Sequence, residues 1–339
     1  MNQVKNNNKL ISIELFAGAG GMALGFENQN YHPLFLVENN KDAIKTLKRN
    51  RNKWNVIDKD IKQISNEEIL NLSKDIKIDI ITAGFPCQPF SYAGKKLGFE
   101  DDRGDLFWEF LRFVDLIKPN AFLIENVPGL KSHLKGKSLE IILENLKNRN
   151  YEIEWKILNS NDYGVPQKRK RLIIIGFKRE LNLLNSFNWP TIEQYKPTLK
   201  DALINVPNSP GYEYPEKKLK ILKMVPPGGC WKNLPEEIAK KYMGNSYYLG
   251  GGKTGIARRI SWDEPSLTLT TSPMQKQTER CHPDEVRPFR IREYARIQTF
   301  PDEWIFEGSI NSSYKQIGNA VPILLAEKIA KQLRKVLNG

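Results

Sequence analysis

Cysteine and histidine are both scarce in this 339-residue chain, at three each: Cys87, Cys230 and Cys281, with His32, His133 and His282. Three thiols cannot build a disulfide framework, and neither residue type shows the paired spacing of a zinc site, so no metal is expected. No apolar run approaches the ~20 residues of a membrane span. The opening MNQVKNNNKLIS is polar and has no hydrophobic stretch of the kind a secretion signal carries. These gaps point to a reducing cytoplasm and away from the membrane. There is no internal repeat, and the Asn-rich start is the one low-complexity tract.

Basic residues, by contrast, are in excess: 52 Lys and Arg against 39 Asp and Glu, a formal charge of +13. Such a balance suits a polyanionic partner, most simply nucleic acid. A Lys-, Asn- and Ile-rich composition offers another origin for it, so charge alone does not decide.

Short apolar runs alternate with amphipathic segments from Leu10 to about Phe177. LISIELF, PLFLVE, IDIITA, AFLIEN and RLIIIGF read as strands buried on both faces. KDAIKTLKRN, GDLFWEFLRFVDLIK and SLEIILENLKNR carry apolar residues at helical spacing. The alternation predicts an α/β fold, a mostly parallel, doubly wound sheet covered by helices. Eleven of the 20 prolines then fall between Leu181 and Val286, punctuation that such a sheet does not survive. This stretch is expected to form a second, smaller, loop-rich domain with short strands such as SLTLTT. The closing AVPILLAEKIAKQLRKVL is amphipathic and helical, and is expected to pack back on the first domain.

ELFAGAGGMALGF follows the first strand and opens a helix, with glycines that allow close backbone approach to a ligand. The second strand ends in Glu38, 20 residues after Gly18, where an acid can hold both ribose hydroxyls. Asp60, in DKDI, is placed to accept from an adenine amino group. A helix cap for Asp60 and a solvated strand end for Glu38 are the plain alternatives. Together the two acids favour an adenosine-containing cofactor. No Lys-Ser/Thr signature follows the glycines, which argues against a nucleoside triphosphate.

At the carboxyl end of the fourth strand stands GFPCQPFS, with Cys87 between two prolines. The fifth strand runs into ENV and brings Glu125 to the same edge. QKRKR then delivers Arg169 and Arg171, whose spacing of two predicts a shared face. Taken singly these are a buried thiol, a helix cap and a basic turn. A thiol, an acid and a guanidinium converging beside an adenosine site make that joint reading improbable.

The ordered set ELFAGAGG, VEN, GFPCQPFS, GDLFWEFLR, ENVPGL, NSNDYGVPQKRKR, RPFRIREYARIQTFPDEW and YKQIGNAVP resembles the bacterial C5-cytosine DNA methyltransferases of restriction-modification systems. The resemblance implies a Rossmann-like S-adenosylmethionine domain, at residues 1–184 and 305–339, with a target-recognition domain at 185–304 that includes the hinge-side motif 287–304. It implies transfer of a methyl group from S-adenosylmethionine to carbon 5 of a flipped-out cytosine in a short double-stranded DNA site, leaving S-adenosylhomocysteine. Cys87 would add to carbon 6, Glu125 would share a proton at ring nitrogen 3, Arg171 would hold the carbonyl oxygen, and Arg169 would position nearby.

Further roles carry over by resemblance. Phe16, Ala19, Gly21, Glu38 and Asn39 would contact the cofactor, as would Asp60, Ile61, Pro86 and Leu106, and, from the last motif, Asn319 and Val321. Gln88, Ser91 and Arg103, on a mobile loop, and Thr268, in SLTLTT, would contact DNA. A bacterial cytosolic monomer is implied, acting on the same site as a cognate restriction endonuclease without a stable complex. The rivals are a transfer-RNA cytosine methyltransferase, whose Cys-Phe-Thr tripeptide is missing here, and a catalytically silent DNA-binding regulator, against which Cys87, Glu125 and Arg171 speak. The recognition sequence and the base that removes the carbon 5 proton are not legible.

Overall fold

The computed structural model describes residues 9–85, 106–249 and 254–339, so Pro86, Cys87, Gln88, Ser91 and Arg103 lie outside the described residues. Chain order begins β1 (Leu10–Leu15), α1 (Gly21–Glu27), β2 (Tyr31–Glu38), α2 (Lys41–Asn50), β3 (Val56–Asp58), α3 (Asn66–Leu72) and β4 (Ile80–Ala83). It continues with α4 (Leu106–Ile117), β5 (Ala121–Asn126), α5 (Lys137–Lys147), β6 (Tyr151–Asn159), β7 (Gln167–Lys168) and β8 (Lys170–Lys178). Seven of these strands form one sheet in the order β3-β2-β1-β4-β5-β8-β6. The pairs β1/β2, β1/β4, β2/β3 and β4/β5 are parallel, and β5/β8 is antiparallel. The five apolar runs are all strands of this sheet. β3 and β6 are additional to them.

Two-faced burial explains the runs. Ile13, Leu15, Ile81, Ala83, Phe122 and Ile124 join Phe107, Phe110 and Val114 of α4 in one core. The alternate residues Ser12, Glu14, Thr82 and Leu123 are also buried, as both faces of a covered sheet require. Each fully buried Leu, Ile or Phe contributes about 1.5–3 kcal/mol relative to exposure. The sheet leaves no slack in places. A Cβ at Gly176 would meet the Phe122 ring at 2.2 Å. That ring is itself fixed by Phe110 and Tyr151, at centroid distances of 5.8 and 5.1 Å. Gly176→Ala is therefore expected to destabilise the fold by about 1–3 kcal/mol, seen as a lower urea midpoint. An unchanged midpoint would mean that the ring can move aside.

Order β2-β1-β4 places the switch point between β1 and β4, where open α/β sheets hold ligands at their carboxyl ends. Helix placement there follows local chemistry. The Asn40 side chain caps α2 by accepting from the amides of Asp42 and Ala43 at 3.1 and 3.0 Å, with Lys48 and Arg49 at its carboxyl end.

Chain compactness defines two units: Met1–Leu158, Lys170–Thr191 and Ala326–Gly339 form the first, and Asn159–Arg169 with Ile192–Leu325 form the second. Residues 159–169 and 305–325, assigned to the first domain from sequence, thus group with the second unit. The closing helix α11 (Ile323–Leu337) has its residues from Ala326 onward in the first unit, where the Tyr31 hydroxyl donates to the Ala330 carbonyl at 3.2 Å. The second unit holds β7, a short β9 (Ser266–Leu267) parallel to it, and short helices α6 (Leu199–Leu203), α7 (Glu216–Lys223), α8 (Glu236–Met243), α9 (Ile291–Ile297) and α10 (Ile310–Asn319), with α11 (Ile323–Leu337) starting in it. SLTLTT is strand only at Ser266 and Leu267. A small core of Tyr214, Leu222, Val225, Leu234, Ala257 and Cys281 holds its loops.

Candidate active site

The turn after β1 begins with two residues in left-handed backbone, Phe16 at φ 61° and Gly18 at φ 54°, and among the described residues nothing beyond its chain neighbours lies within 4 Å of a Cβ built on Gly18. The Gly18 amide donates to Glu38 Oε2 at 2.7 Å, tying the turn to the end of β2. Glu38 Oε1 accepts from the amides of Asn39 and Asn40 at 3.0 and 2.8 Å. Oε1 thus has both lone pairs engaged, and Oε2, with one donor, keeps a second lone pair for a ligand hydroxyl. Ala19 and Gly21 are buried within the turn and the first turn of α1.

Beyond β3, Asp60 caps a 3-10 turn over Ile61–Gln63, accepting from the Lys62 amide at 3.0 Å. Its other oxygen accepts from the Asn39 side chain at 3.3 Å. The cap is real, and it holds the carboxylate beside Asn39 at the end of β2. Arg112 of α4, a residue that sequence reasoning passed over, fastens this turn by donating to the carbonyls of Ile61 and Ile64 at 2.9 and 2.8 Å. Leu106 is the first residue of the same helix. Glu14, also passed over, is buried on β1. Burial first, then the charge of Glu38, pushes its carboxyl well above the usual carboxylate range, favouring the neutral acid. The burial was hidden because Glu14 looks like the polar end of a strand.

The chemistry of this donor set fits an adenosine-bearing cofactor. Two carboxylates at successive strand ends match a ribose diol and an exocyclic amine, and the glycine turn stands at the switch point of the sheet.

At the neighbouring strand ends, Glu125 and Arg171 meet. Register pairs Glu125 with Ile173 across β5/β8, which puts Arg171 diagonally beside Glu125 on one face. Arg171 Nε lies 2.6 Å from Glu125 Oε1, and their side chains are only 12% and 11% exposed. Arg171 also donates to the Lys170 carbonyl at 2.8 Å. Gly84, at the exit of β4, stands against the pair: its Cβ would lie 3.3 Å from Glu125 Oε2. Asn126 then donates to the Phe85 carbonyl at 3.2 Å, joining the exits of β4 and β5 two residues before Cys87. Asn126 was missed because ENV drew attention to its acid.

Arg169 does not follow Arg171. The strand is broken at this residue, between β7 and β8, so a spacing of two no longer fixes a shared face. Its guanidinium is 1% exposed and donates to the carbonyls of Leu269, Gly318 and Ala320 at 3.0, 2.9 and 3.1 Å, all within the second unit. Thr268, half-buried, donates its hydroxyl to the Lys168 carbonyl at 2.7 Å. Asn319 is exposed at the end of α10 and Val321 is buried. Both belong to the second unit.

Fold and site define a doubly wound α/β protein with a glycine turn and two strand-end carboxylates of a kind that suits a nucleoside, and a buried acid–guanidinium pair at neighbouring strand ends. The chain belongs to the C-5 cytosine-specific DNA methylases, whose family model matches residues 10–335. It is 53% identical over 340 residues to the Type II methyltransferase M.Sau96I of Staphylococcus aureus, spanning 100% of this chain and 79% of that protein. It is 51% identical over 341 residues to the Type II methyltransferase M.Eco47II of Escherichia coli, spanning 98% and 81%. A crystal structure of a candidate DNA modification methyltransferase from an E. coli prophage superposes with a TM-score of 0.72 at 25% identity, covering 98% of this chain and 100% of that one. The protein is thus a DNA cytosine-5 methyltransferase with an α/β methyltransferase fold, and membership implies S-adenosylmethionine as methyl donor and DNA as substrate. Among the described residues no helix is long and apolar enough to cross a membrane.

Proposed function

We propose that this enzyme is the modification half of a restriction-modification system, methylating a flipped-out cytosine through a covalent Cys87 adduct. The Glu125–Arg171 pair at the carboxyl edge of the sheet is the observation that carries the reading. The bound donor would supply an electrophilic methyl group on a sulfonium. Gly21, Glu38, Asn39, Asp60 and Leu106 would hold it, and Phe16, Ala19, Ile61, Pro86, Asn319 and Val321 would supply further contacts.

Cys87 thiolate adds to carbon 6 of cytosine, forming a carbon–sulfur bond. The ring electrons move to carbon 5, and the charge that develops at nitrogen 3 is met by a proton shared from Glu125. Arg171 holds Glu125 with one edge of its guanidinium and the ring carbonyl oxygen with another, a use of its fork that lysine cannot reproduce. After carbon 5 takes the methyl group, its proton leaves to a base, the carbon 5–carbon 6 double bond re-forms, Cys87 departs as thiolate and the proton shared at nitrogen 3 returns to Glu125. Gln88, Ser91, Arg103 and Thr268 contact the opened DNA. Residues 1–184 and 305–339 carry the chemistry and 185–304 read the sequence. The protein works as a monomer in the bacterial cytosol. A cognate endonuclease cuts the same site, without a stable complex.

Bisulfite sequencing of plasmid DNA incubated with protein and S-adenosylmethionine tests the reading. One short sequence should carry protected cytosines throughout. Methylation without sequence preference would remove the restriction-modification role, and methyl groups on exocyclic amines would remove the mechanism.

Cofactor contact is checked separately. Asp60→Ala is expected to weaken S-adenosylhomocysteine binding by about 1–3 kcal/mol, the cost of leaving a polar partner unmet, as measured by calorimetry. Asp60→Asn keeps a capping oxygen for the Lys62 amide and separates loss of the cap from loss of the charge. Wild-type affinity in Asp60→Ala would mean that the adenine lies elsewhere.

A further inference from the structure

Arg169, Gln167 and Gln298 are among the most buried polar side chains of the protein, at 1%, 0% and 0% exposure. Their hydrogen bonds close a ring. Arg169 donates to the carbonyls of Leu269 and Ala320 at 3.0 and 3.1 Å. Gln298 donates to that same Ala320 carbonyl at 3.0 Å and to the Ile317 carbonyl at 2.7 Å. Gln298 Oε1 accepts from the Gln167 amide at 2.7 Å, and Gln167 Oε1 accepts from the Leu269 amide at 2.8 Å, returning to the start. Backbone on both sides of Asn319 is therefore tied to backbone directly after Thr268.

Two physical facts give this ring its purpose. The last carbonyls of a helix have no partner within the helix, and a cation is favoured there. Arg169 and Gln298 meet those of α10 and so fix the turn that presents Asn319. Packing reports the same junction independently. A Cβ on Gly318 would lie 2.2 Å from the Thr270 carbonyl, an approach only glycine allows. Hydrogen bonds in a buried, low-dielectric network are stronger than exposed ones and favour one arrangement.

We propose that Arg169, Gln167 and Gln298 are positioning residues that lock the cofactor-side turn at Asn319 and the DNA-side segment at Thr268 into one arrangement. Loosening the ring then impairs cofactor binding and DNA engagement together, although none of its members touches a reacting atom. The inference rests on the proposed contacts of Asn319 with cofactor and Thr268 with DNA.

Full-length Gln298→Met, close in volume and unable to hydrogen-bond in the ring, tests it. S-adenosylhomocysteine affinity is read by calorimetry without DNA, and kinetics by transfer of labelled methyl to unmethylated plasmid. Affinity is expected to fall about tenfold, the equivalent of one net hydrogen bond. KM should rise for both substrates, while kcat at saturation changes far less, the signature of lost uniform binding. If that protein does not fold, Arg169→Lys, which keeps the charge but not the fork, is expected to show the same split to a smaller degree. A folded variant with wild-type affinity and wild-type KM for DNA would reduce the ring to scaffolding and overturn the inference. Asn319→Ala distinguishes the two layers. If it weakens binding while Gln298→Met and Arg169→Lys do not, the ring fails and the cofactor contact stands. If Asn319→Ala also binds as wild type, the contact is wrong and the inference falls with it.

Discussion

Wild-type protein given S-adenosylmethionine and a duplex with 5-fluorocytosine at the target position is expected to remain joined to the DNA through denaturing electrophoresis, and Cys87→Ala protein is not. The thiolate adds to carbon 6 and the methyl group enters at carbon 5. Release then needs a proton to leave carbon 5, and fluorine cannot leave in that way. Without S-adenosylmethionine the addition reverses and no stable adduct should survive. The other two cysteines are poor substitutes. Cys230 and Cys281 are both buried, and burial pushes the Cys281 thiol up to about 12, so its thiolate is scarce at neutral pH. Cys230→Ala and Cys281→Ala should trap normally where folded. The expected effect is total, loss of both adduct and methyl transfer. A Cys87→Ala protein that still crosslinked in a cofactor-dependent way would end the covalent reading.

Legibility in the sequence tracked how burial is distributed. β1, β2, β4, β5 and β8 are covered on both faces and appear as predominantly apolar runs. β6 does not: Ile153, Trp155 and Ile157 pack on the core while Glu152, Glu154 and Lys156 alternate with them. Its signal was a period of two, the mark of a strand at the sheet's edge, where one face is covered. β3 has only three residues, too few for any period. The antiparallel entry of β8 was also hidden, because direction depends on connections rather than on composition.

Within the site, charge at the end of a strand was the readable feature. Glu38 and Glu125 each stand where an apolar run stops, Asp60 follows the short β3 by two residues, and each is held by specific partners. Arg169 shows where such reading fails. The period-two rule assumes continuous strand, and Arg169 is itself the irregular residue between β7 and β8, which sets it apart from an Arg171 that looks equivalent on paper. The second unit was legible only as a change of punctuation. Its core is assembled from helices of five to ten residues and from loops, whose contacts lie far apart in sequence.

Removing either partner of the Glu125–Arg171 pair should cost activity, yet the two losses should differ in kind. Glu125→Gln keeps an oxygen for Arg171 and a similar volume, so folding and S-adenosylhomocysteine affinity should survive. It cannot share a proton with ring nitrogen 3, and kcat should fall by about 10²–10⁴-fold, the usual worth of a positioned acid. Adduct formation with 5-fluorocytosine should slow in proportion, since thiol addition is the step that needs the proton. Arg171→Met leaves a carboxylate 11% exposed with its cation gone, an arrangement that typically costs about 3–5 kcal/mol of stability. The double variant Glu125→Gln with Arg171→Met should then be more stable than Arg171→Met alone, because the orphaned charge has been removed. That recovery, read from urea midpoints, should amount to about 1–3 kcal/mol of coupling. Additive losses in stability would show that the two side chains do not depend on each other. A Glu125→Gln enzyme with wild-type kcat would take the acid out of the mechanism, leaving the 2.6 Å pair a structural contact.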